Sequence, residues 1–389
     1  MGKKLIYNAR IVLRDRLLND GAVLLEDGRI KAVMPSFSDI PEAEKTDAQG
    51  NYLSPGFIDI HLHGGGGSEF MDCTGEDCRR VARAHMEHGT TTMYPTTLAC
   101  TNDELYRFFD IYDALKNDTG GARFGGLHLE GPYFAYNFRG AQDPKYLRNP
   151  SPEEYMDILE RASDIVRWDM APELPGALEF ADELCRRGIL PSIAHTEAIY
   201  SDVVKAFSHG FTHLTHFYSC MNGITRMNGF RRGGCVEAGY LMDGLTLELI
   251  TDGCHVPVEL LQLTVKIKGP ERVALITDSM RAAGQQVSES TIGSRTNGQH
   301  VLIEDGVAKL PDRQAFAGSI ATTDRLLRVM WKSAGVPLWD TVRMRTETPA
   351  RIMGAHDRGV MAPGYDGDLV MFEENASIKG VWIKGERTI

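Results

Sequence analysis

Three things are scarce in this sequence: paired cysteines, long apolar runs and positive charge. The seven cysteines (Cys73, Cys78, Cys100, Cys185, Cys220, Cys235 and Cys254) are odd in number and contain no CxxC spacing. That pattern suggests neither a disulfide framework nor a thiolate zinc site. No run approaches the roughly 18 apolar residues that span a bilayer, and the opening MGKKLIYNARIVL has neither a long apolar segment nor a small-residue cleavage site. A cytoplasmic protein with no membrane partner is the expectation. With 42 Lys and Arg against 53 Asp and Glu the net charge is −11. Such a field repels phosphate backbones, so a small-molecule partner is expected and nucleic acid is not.

What is present is an ordinary globular composition, 42% hydrophobic and 24% charged over 389 residues. That length accommodates two ordinary domains, or one α/β barrel of roughly 250 residues with a smaller partner. The first ~50 residues read as short strands, KLIYNARIVL and GAVLLEDGRIKAVM, the second turning at Glu26-Asp27-Gly28. From Pro55 the pattern changes to apolar runs of strand length alternating with helical stretches, the sequence form of a parallel sheet. The runs are GFIDIHLH, TTTMYPTT, RFGGLHLEG, IVRWDMAPE, ILPSIAHT, FTHLTHF, LTLELITDG and RVALITDS. Eight βα units predict a (β/α)8 TIM-like barrel. Among the helix candidates, GEDCRRVARAHMEHG has Thr74 as amino-terminal cap and Gly89 as its stop.

Beyond Asp278 the pattern predicts a Gly/Ser/Thr/Asn-rich loop over 284–299, a hairpin VLIEDGVAKL and two helical stretches. The strand-like tail DLVMFEENASIKGVWIKG repeats the turn style of the amino terminus, so both chain ends should build one small β-sandwich. The expected division is residues 1–53 as its first part, 54–355 as the barrel and 356–389 as its second part.

Nine of the 12 histidines fall between His61 and His216. His61 and His63 flank Leu62 at the end of the first run, where period-two alternation puts both imidazoles on one face. Glu130 ends the third run, His195 the fifth, His216 the sixth and Asp278 the eighth. In a barrel, active sites form at these carboxyl ends. Four imidazoles and two carboxylates without a thiolate make a nitrogen and oxygen site, suited to Zn²⁺ or to Fe, Mn, Co or Ni, with room for one or two divalent ions. His85, His88, His209, His300 and His356 have no partner pattern and read as surface or structural. His213, three residues before His216, should point outward against helices. His128 shares the face of Glu130, and core packing and orientation of a ligand both stay open for it. Residues 64–67, GGGG, lack the phosphate-loop pattern and read as a flexible active-site loop.

PGFIDIHLHGGGG, HLEGPYF, the AHT of His195, THLTHF, TDGCHVP, ITDSMRAAG and FAGSIATTD occur in this order. Together they resemble the metal-dependent amidohydrolase superfamily, and within it the N-acetylglucosamine-6-phosphate deacetylase type, over nearly the whole chain. The resemblance implies that Glu130, His195 and His216 hold the principal metal, that His61 and His63 allow a second, and that Asp278 is the catalytic acid and base. It further implies substrate contacts from His255, from Ala141 and Gln142, from Ser219 and Cys220, and from Phe316, Ala317 and Gly318. It also implies a homodimer.

The chain departs from that pattern in places. After His216 the text reads Phe217-Tyr218-Ser219-Cys220-Met221, where FNAM is usual. Met227 falls where an Arg that grips the sugar phosphate is expected, with Arg226 adjacent and Arg231 and Arg232 following. Gln142 stands where many relatives carry a substrate-contacting His, and Arg281 occupies a usually small position. The expected activity is metal-dependent hydrolysis of the acetamide of an N-acetylated amino sugar. The alternatives are an amidohydrolase of an unphosphorylated acetamido sugar or another amide, and a non-catalytic sugar-phosphate binding protein.

Overall fold

Every apolar run contains a parallel strand: Phe57–Leu62, Thr90–Pro95, Leu127–Glu130, Ile165–Met170, Leu190–Ile193, His213–Leu214, Thr246–Ile250 and Val273–Ile276. The computed structural model describes all residues but Met1, Ser38, Asp39, Pro41 and Thr119. The last six of these strands form one curled parallel sheet in chain order, and the first two pair beside the short strand Arg123–Phe124. A parallel bridge between Thr96 and His128 joins the two sheets on one side. On the other, the Asp278 N–H donates to the His61 carbonyl over 3.0 Å.

The helices between strands follow from caps and periodicity. In helix Gly75–Glu87 the Thr74 hydroxyl accepts from the Asp77 N–H, satisfying one of the donors a helix start leaves open. Its buried positions Cys78, Val81, Ala82, His85 and Met86 recur every three to four residues and make one stripe. Gly89, at φ +95°, turns the chain out of the helix. Among the described residues no helix is long and apolar enough to cross a membrane.

Both chain ends enter one eight-stranded sheet, in which Tyr52–Pro55 lies between the amino-terminal strand Lys4–Val12 and the carboxyl-terminal strand Leu369–Phe372. Ile6, Val23, Leu53, Leu369 and Trp382 pack on its inner face. The expected boundary after residue 53 cuts through this pairing, because Ser54 and Pro55 stand opposite Val370 and Leu369; the sheet strand ends at Pro55.

Three local expectations need correction. Residues 64–67 are not a flexible loop: Gly64–Gly65 pairs antiparallel with Ser68–Glu69, and a Cβ on Gly64 would meet the Ser68 carbonyl oxygen at 2.4 Å. Part of the loop 284–299 is a strand, Glu289–Ile292, paired with Gln299–Glu304. His213 does not pack against helices. Its Nδ1 lies 2.7 Å from Thr246 Oγ1 and its Nε2 3.4 Å from Glu248 Oε1. The strand stops at Leu214, and His216 adopts φ +30°, so strict alternation does not extend to it.

Candidate metal centre and active site

The six residues expected to carry metal or catalysis converge. Glu130 is the hub: its Oε1 lies 3.2 Å from the Nε2 atoms of both His195 and His216, which are 3.2 Å from each other. Four ligands of a tetrahedral ion with bonds of about 2.0–2.2 Å stand roughly 3.3–3.6 Å apart, so this triangle has the size a divalent ion requires. On the other side, His61 Nε2 is 3.5 Å from Glu130 Oε1 and from Asp278 Oδ1, and has no hydrogen-bond partner. His63 Nε2 is 3.2 Å from Asp278 Oδ1 and 3.5 Å from Glu130 Oε2. Two groups able to hold an ion therefore share Glu130, one with His195 and His216, the other with His61 and His63.

Strand register alone does not aim these side chains. His195, His216 and Asp278 have φ of +46°, +30° and +45°, a left-handed conformation that L residues adopt only when the surroundings hold them there. Backbone hydrogen bonds supply that hold: Ala135 N–H to the His195 carbonyl (2.9 Å), Ser219 N–H to His216 (2.8 Å) and Ser319 N–H to Asp278 (2.7 Å). His195 Nδ1 is 2.9 Å from the Phe138 carbonyl and His63 Nδ1 3.3 Å from that of Thr96. With those nitrogens donating, each Nε2 faces the carboxylates and is placed to act as a ligand once it gives up its proton to a bound cation.

The electrostatics favour a cation. Burial pushes the Glu130 carboxyl up, but hydrogen bonds with His195 and His216 hold it well below the usual carboxylate range. Burial likewise raises Asp278, and His61 and His63 bring it below its ordinary value, so it is ionised at neutral pH. His63 is pulled down by burial, yet the carboxylates of Asp278 and Glu130 prevail and take it up to about 9. Below the ligands, His128 is driven down to about 4, first by burial and then by the charge of Arg167.

These residues open into a cavity of about 300 Å³, whose wall includes Ala141, Gln142, Ser219, Cys220, His255, Phe316 and Gly318. Gln142 is held to the hub: its Nε2 donates to Glu130 Oε2 at 2.7 Å and its Oε1 accepts from the Ala99 N–H at 2.9 Å. His255 Nδ1 is 2.8 Å from Asp252 Oδ2, and its ring meets Phe316 edge-on. Burial pushes the Cys220 thiol up, and the neighbouring His195 brings it below the usual thiol range.

Three expected contacts lie elsewhere. Ala317 is fully buried and gives its N–H to the Ala308 carbonyl instead of facing the cavity. Arg226 and Met227 sit on an exposed hairpin, Thr225–Met227 with Phe230–Arg232, that also carries Arg231. Bridges from Thr196 to Met221 and from Ile199 to Gly234 tie the base of that segment to the loop after His195. Arg281 forms a two-pronged ion pair with buried Asp72, at 2.5 and 2.9 Å, away from the cavity. Among the described residues no Lys or Arg lines the cavity.

Leu98, Tyr218, Ile250, Ile292 and Ala315, which no motif in the sequence marks, also form the wall. Arg167, Asp169 and Glu248, outside the expected site, lie wholly buried beneath the ligands. Charges at alternate positions of an otherwise apolar strand were the available signal for the first two.

The amidohydrolase family model matches residues 52–388. The chain belongs to the amidohydrolase family. Its relatives include the N-acetylglucosamine-6-phosphate deacetylase of Haemophilus influenzae, 28% identical, with 99% of each chain covered. They also include the N-acetylgalactosamine-6-phosphate deacetylase of Escherichia coli O157:H7, 29% identical, with 97% of each covered. A mutant N-acetyl-D-glucosamine-6-phosphate deacetylase from Mycobacterium smegmatis, in complex with N-acetyl-D-glucosamine-6-phosphate, superposes with a TM-score of 0.92 over all of both chains at 28% identity. The resemblance read from the motifs thus agrees with these matches, and the family implies a divalent metal for this amidohydrolase.

Proposed function

We propose that this amidohydrolase removes the acetyl group of N-acetylglucosamine 6-phosphate, giving glucosamine 6-phosphate and acetate. One observation carries the reading: Glu130, His195 and His216 form a triangle of ion-binding size at the floor of a sugar-sized cavity, with the ionised Asp278 beside it. The deacetylase names of the relatives support the substrate class. A divalent ion held there supplies a Lewis acid for the acetamide carbonyl and acidifies the attacking water. Glu130, His195 and His216 are the principal ligands, with His61 and His63 able to hold a second ion. Zn²⁺ suits the donor set, which Fe, Mn, Co and Ni share.

The chain's own groups do the rest. Asp278 accepts the proton of the attacking water on its carboxylate and returns it to the amide nitrogen, a poor leaving group until protonated. His255, Ser219 and Gly318 bind and orient the sugar, and Gln142 fixes the Glu130 carboxylate. At least one of Arg226, Arg231 and Arg232, on the exposed hairpin, serves the phosphate, since an anionic substrate of a protein with net charge −11 needs a local positive site. That no Lys or Arg among the described residues lines the cavity favours a second reading, an unphosphorylated acetamido sugar or another amide.

The same proposal covers the rest of the chain. The eight parallel strands close as a (β/α)8 barrel through the Thr96 bridge and the Asp278 to His61 hydrogen bond. Residues 1–55 and 356–389 make the small β-sandwich, and the protein works as a cytoplasmic homodimer. The deciding experiment couples elemental analysis of the purified protein to acetate release from N-acetylglucosamine with and without the 6-phosphate. Metal with faster release from the phosphorylated sugar is the expected result; preference for the unphosphorylated sugar moves the protein to the second reading, and no release from either overturns the deacetylase.

A further inference from the structure

Beneath the ligand set lies a charged group that neither metal binding nor the reaction has yet used. Arg167 and Asp169, on one face of the strand Ile165–Met170, meet Glu248 from Thr246–Ile250, and all three are at 0% exposure. Arg167 donates from Nε to Asp169 Oδ1 at 2.8 Å and from Nη2 to Asp169 Oδ2 and Glu248 Oε2, each at 3.1 Å; its Nη1 also pairs with Glu248 Oε1. Nη2 further reaches Thr215 Oγ1 at 2.8 Å. Glu248 Oε2 lies 3.2 Å from His61 Nδ1 and 3.3 Å from the His216 backbone nitrogen. Asp169 Oδ2 is 2.9 Å from His128 Nε2.

One guanidinium faces two carboxylates, so the group holds an excess negative charge that burial keeps from water. A cation nearby would offset it. His61, His128 and Asp169 lie close enough together to hold an ion of their own, but the Arg167 fork already engages both oxygens of Asp169, and a second cation there would meet a fixed positive charge. Glu248 also meets two imidazoles, His213 at 3.4 Å and His61, and of these His61 reaches the ligand set. With Nδ1 donating to Glu248, its Nε2 keeps a free lone pair facing Glu130 and Asp278, and a carboxylate behind an imidazole makes it a better ligand.

We infer that Glu248, locked in place by Arg167, is a positioning residue for the ion on the His61 and His63 side: it fixes the tautomer and orientation of His61 without touching substrate. The inference rests on the two-ion reading of the site. Its test is competitive titration of the metal-free full-length protein with Zn²⁺ against a chromophoric chelator, for wild type, His61→Ala, Glu248→Gln and Asp169→Asn, with circular dichroism on each. Wild type should take up two ions and His61→Ala should lose the weaker one. Glu248→Gln should weaken that same ion by about 10- to 100-fold and leave the tighter one unchanged. Asp169→Asn, in the same network but facing His128, should shift it far less. If Glu248→Gln does not fold, Glu248→Asp, which withdraws the carboxylate but keeps its charge, should show the same selective loss to a smaller degree. Unchanged affinity for both ions, or equal loss of both, overturns the inference. A wild-type protein that binds one ion indifferent to His61→Ala removes the two-ion reading, and the inference with it.

Discussion

Only a short loop separates His216 from the hairpin Thr225–Arg232, yet the two regions are built differently. His216 is 3% exposed, its Nε2 against Glu130 and His195 and its backbone N–H near Glu248. Arg226, Arg231 and Arg232 project from a two-stranded ribbon whose Phe230 is 78% exposed. Strand ends give chemistry a rigid origin, while an exposed ribbon can change its sequence without disturbing the fold. That contrast explains why the motifs at the strand ends read clearly in this chain while the sequence of the hairpin departs from the family pattern at Met227.

The comparison breaks first at His195. His195→Ala should strip the principal ion and abolish turnover while circular dichroism stays native, because the ligands lie on the loop side of the strands. A variant with full metal content and activity would sink the ligand assignment. Next comes Asp278→Asn, which keeps the size of the side chain but cannot shuttle a proton. Its kcat should fall by about 10²-fold or more with metal retained, and a change confined to KM would make Asp278 a binding residue.

The buried side should also register in thermodynamics. His128 titrates near 4 in the fold against an ordinary 6.5, driven down by burial and Arg167. Between those values the unfolded chain binds a proton that the native one does not, so stability rises with pH through this window and falls as pH drops from 6.5 toward 4. The span is at most about 3 kcal/mol. His85 and His213, also lowered chiefly by burial, act in the same sense. Urea unfolding of the metal-free protein at several pH values between 4 and 7 measures the slope, which His128→Gln should reduce.

The exposed side carries the smallest effect. Replacing Arg226, Arg231 and Arg232 singly by Ala should cost at least one variant about 1.5–3 kcal/mol, or 10- to 100-fold in kcat/KM, for the phosphorylated sugar. Turnover of the unphosphorylated sugar should stay unchanged. Equal losses on both substrates would detach the hairpin from phosphate recognition and erase the contrast.

Much of the site was legible because strand chemistry repeats. The six residues expected to bind metal or carry the proton lie at the ends of five apolar runs, and each of those runs contains a parallel strand. Orientation was harder. His213 was misread because a left-handed residue at His216 ends the alternation on which the reading relied. Ala317 was misplaced because nothing in FAGS distinguishes a residue facing the cavity from its neighbour packed beneath it. The four glycines read as a flexible loop, yet Gly64 and Gly65 approach Ser68 and His85 closely while Gly66 and Gly67 turn the chain at positive φ.

By itself the sequence determined the periodicities, the caps and the donor types: which segments become strands, where helix Gly75–Glu87 begins and ends, and that any metal here meets nitrogen and oxygen. These are local properties, set by residues within a few positions of one another. Only the tertiary structure decided that Glu130 is shared by two histidine pairs, that Gln142 is tied to Glu130, that Arg281 pairs with Asp72, and that Arg167 and Glu248 lie beneath His61. Each of those contacts joins residues that are distant along the chain, and sheet order and curvature, with the loops they anchor, bring them within hydrogen-bonding range.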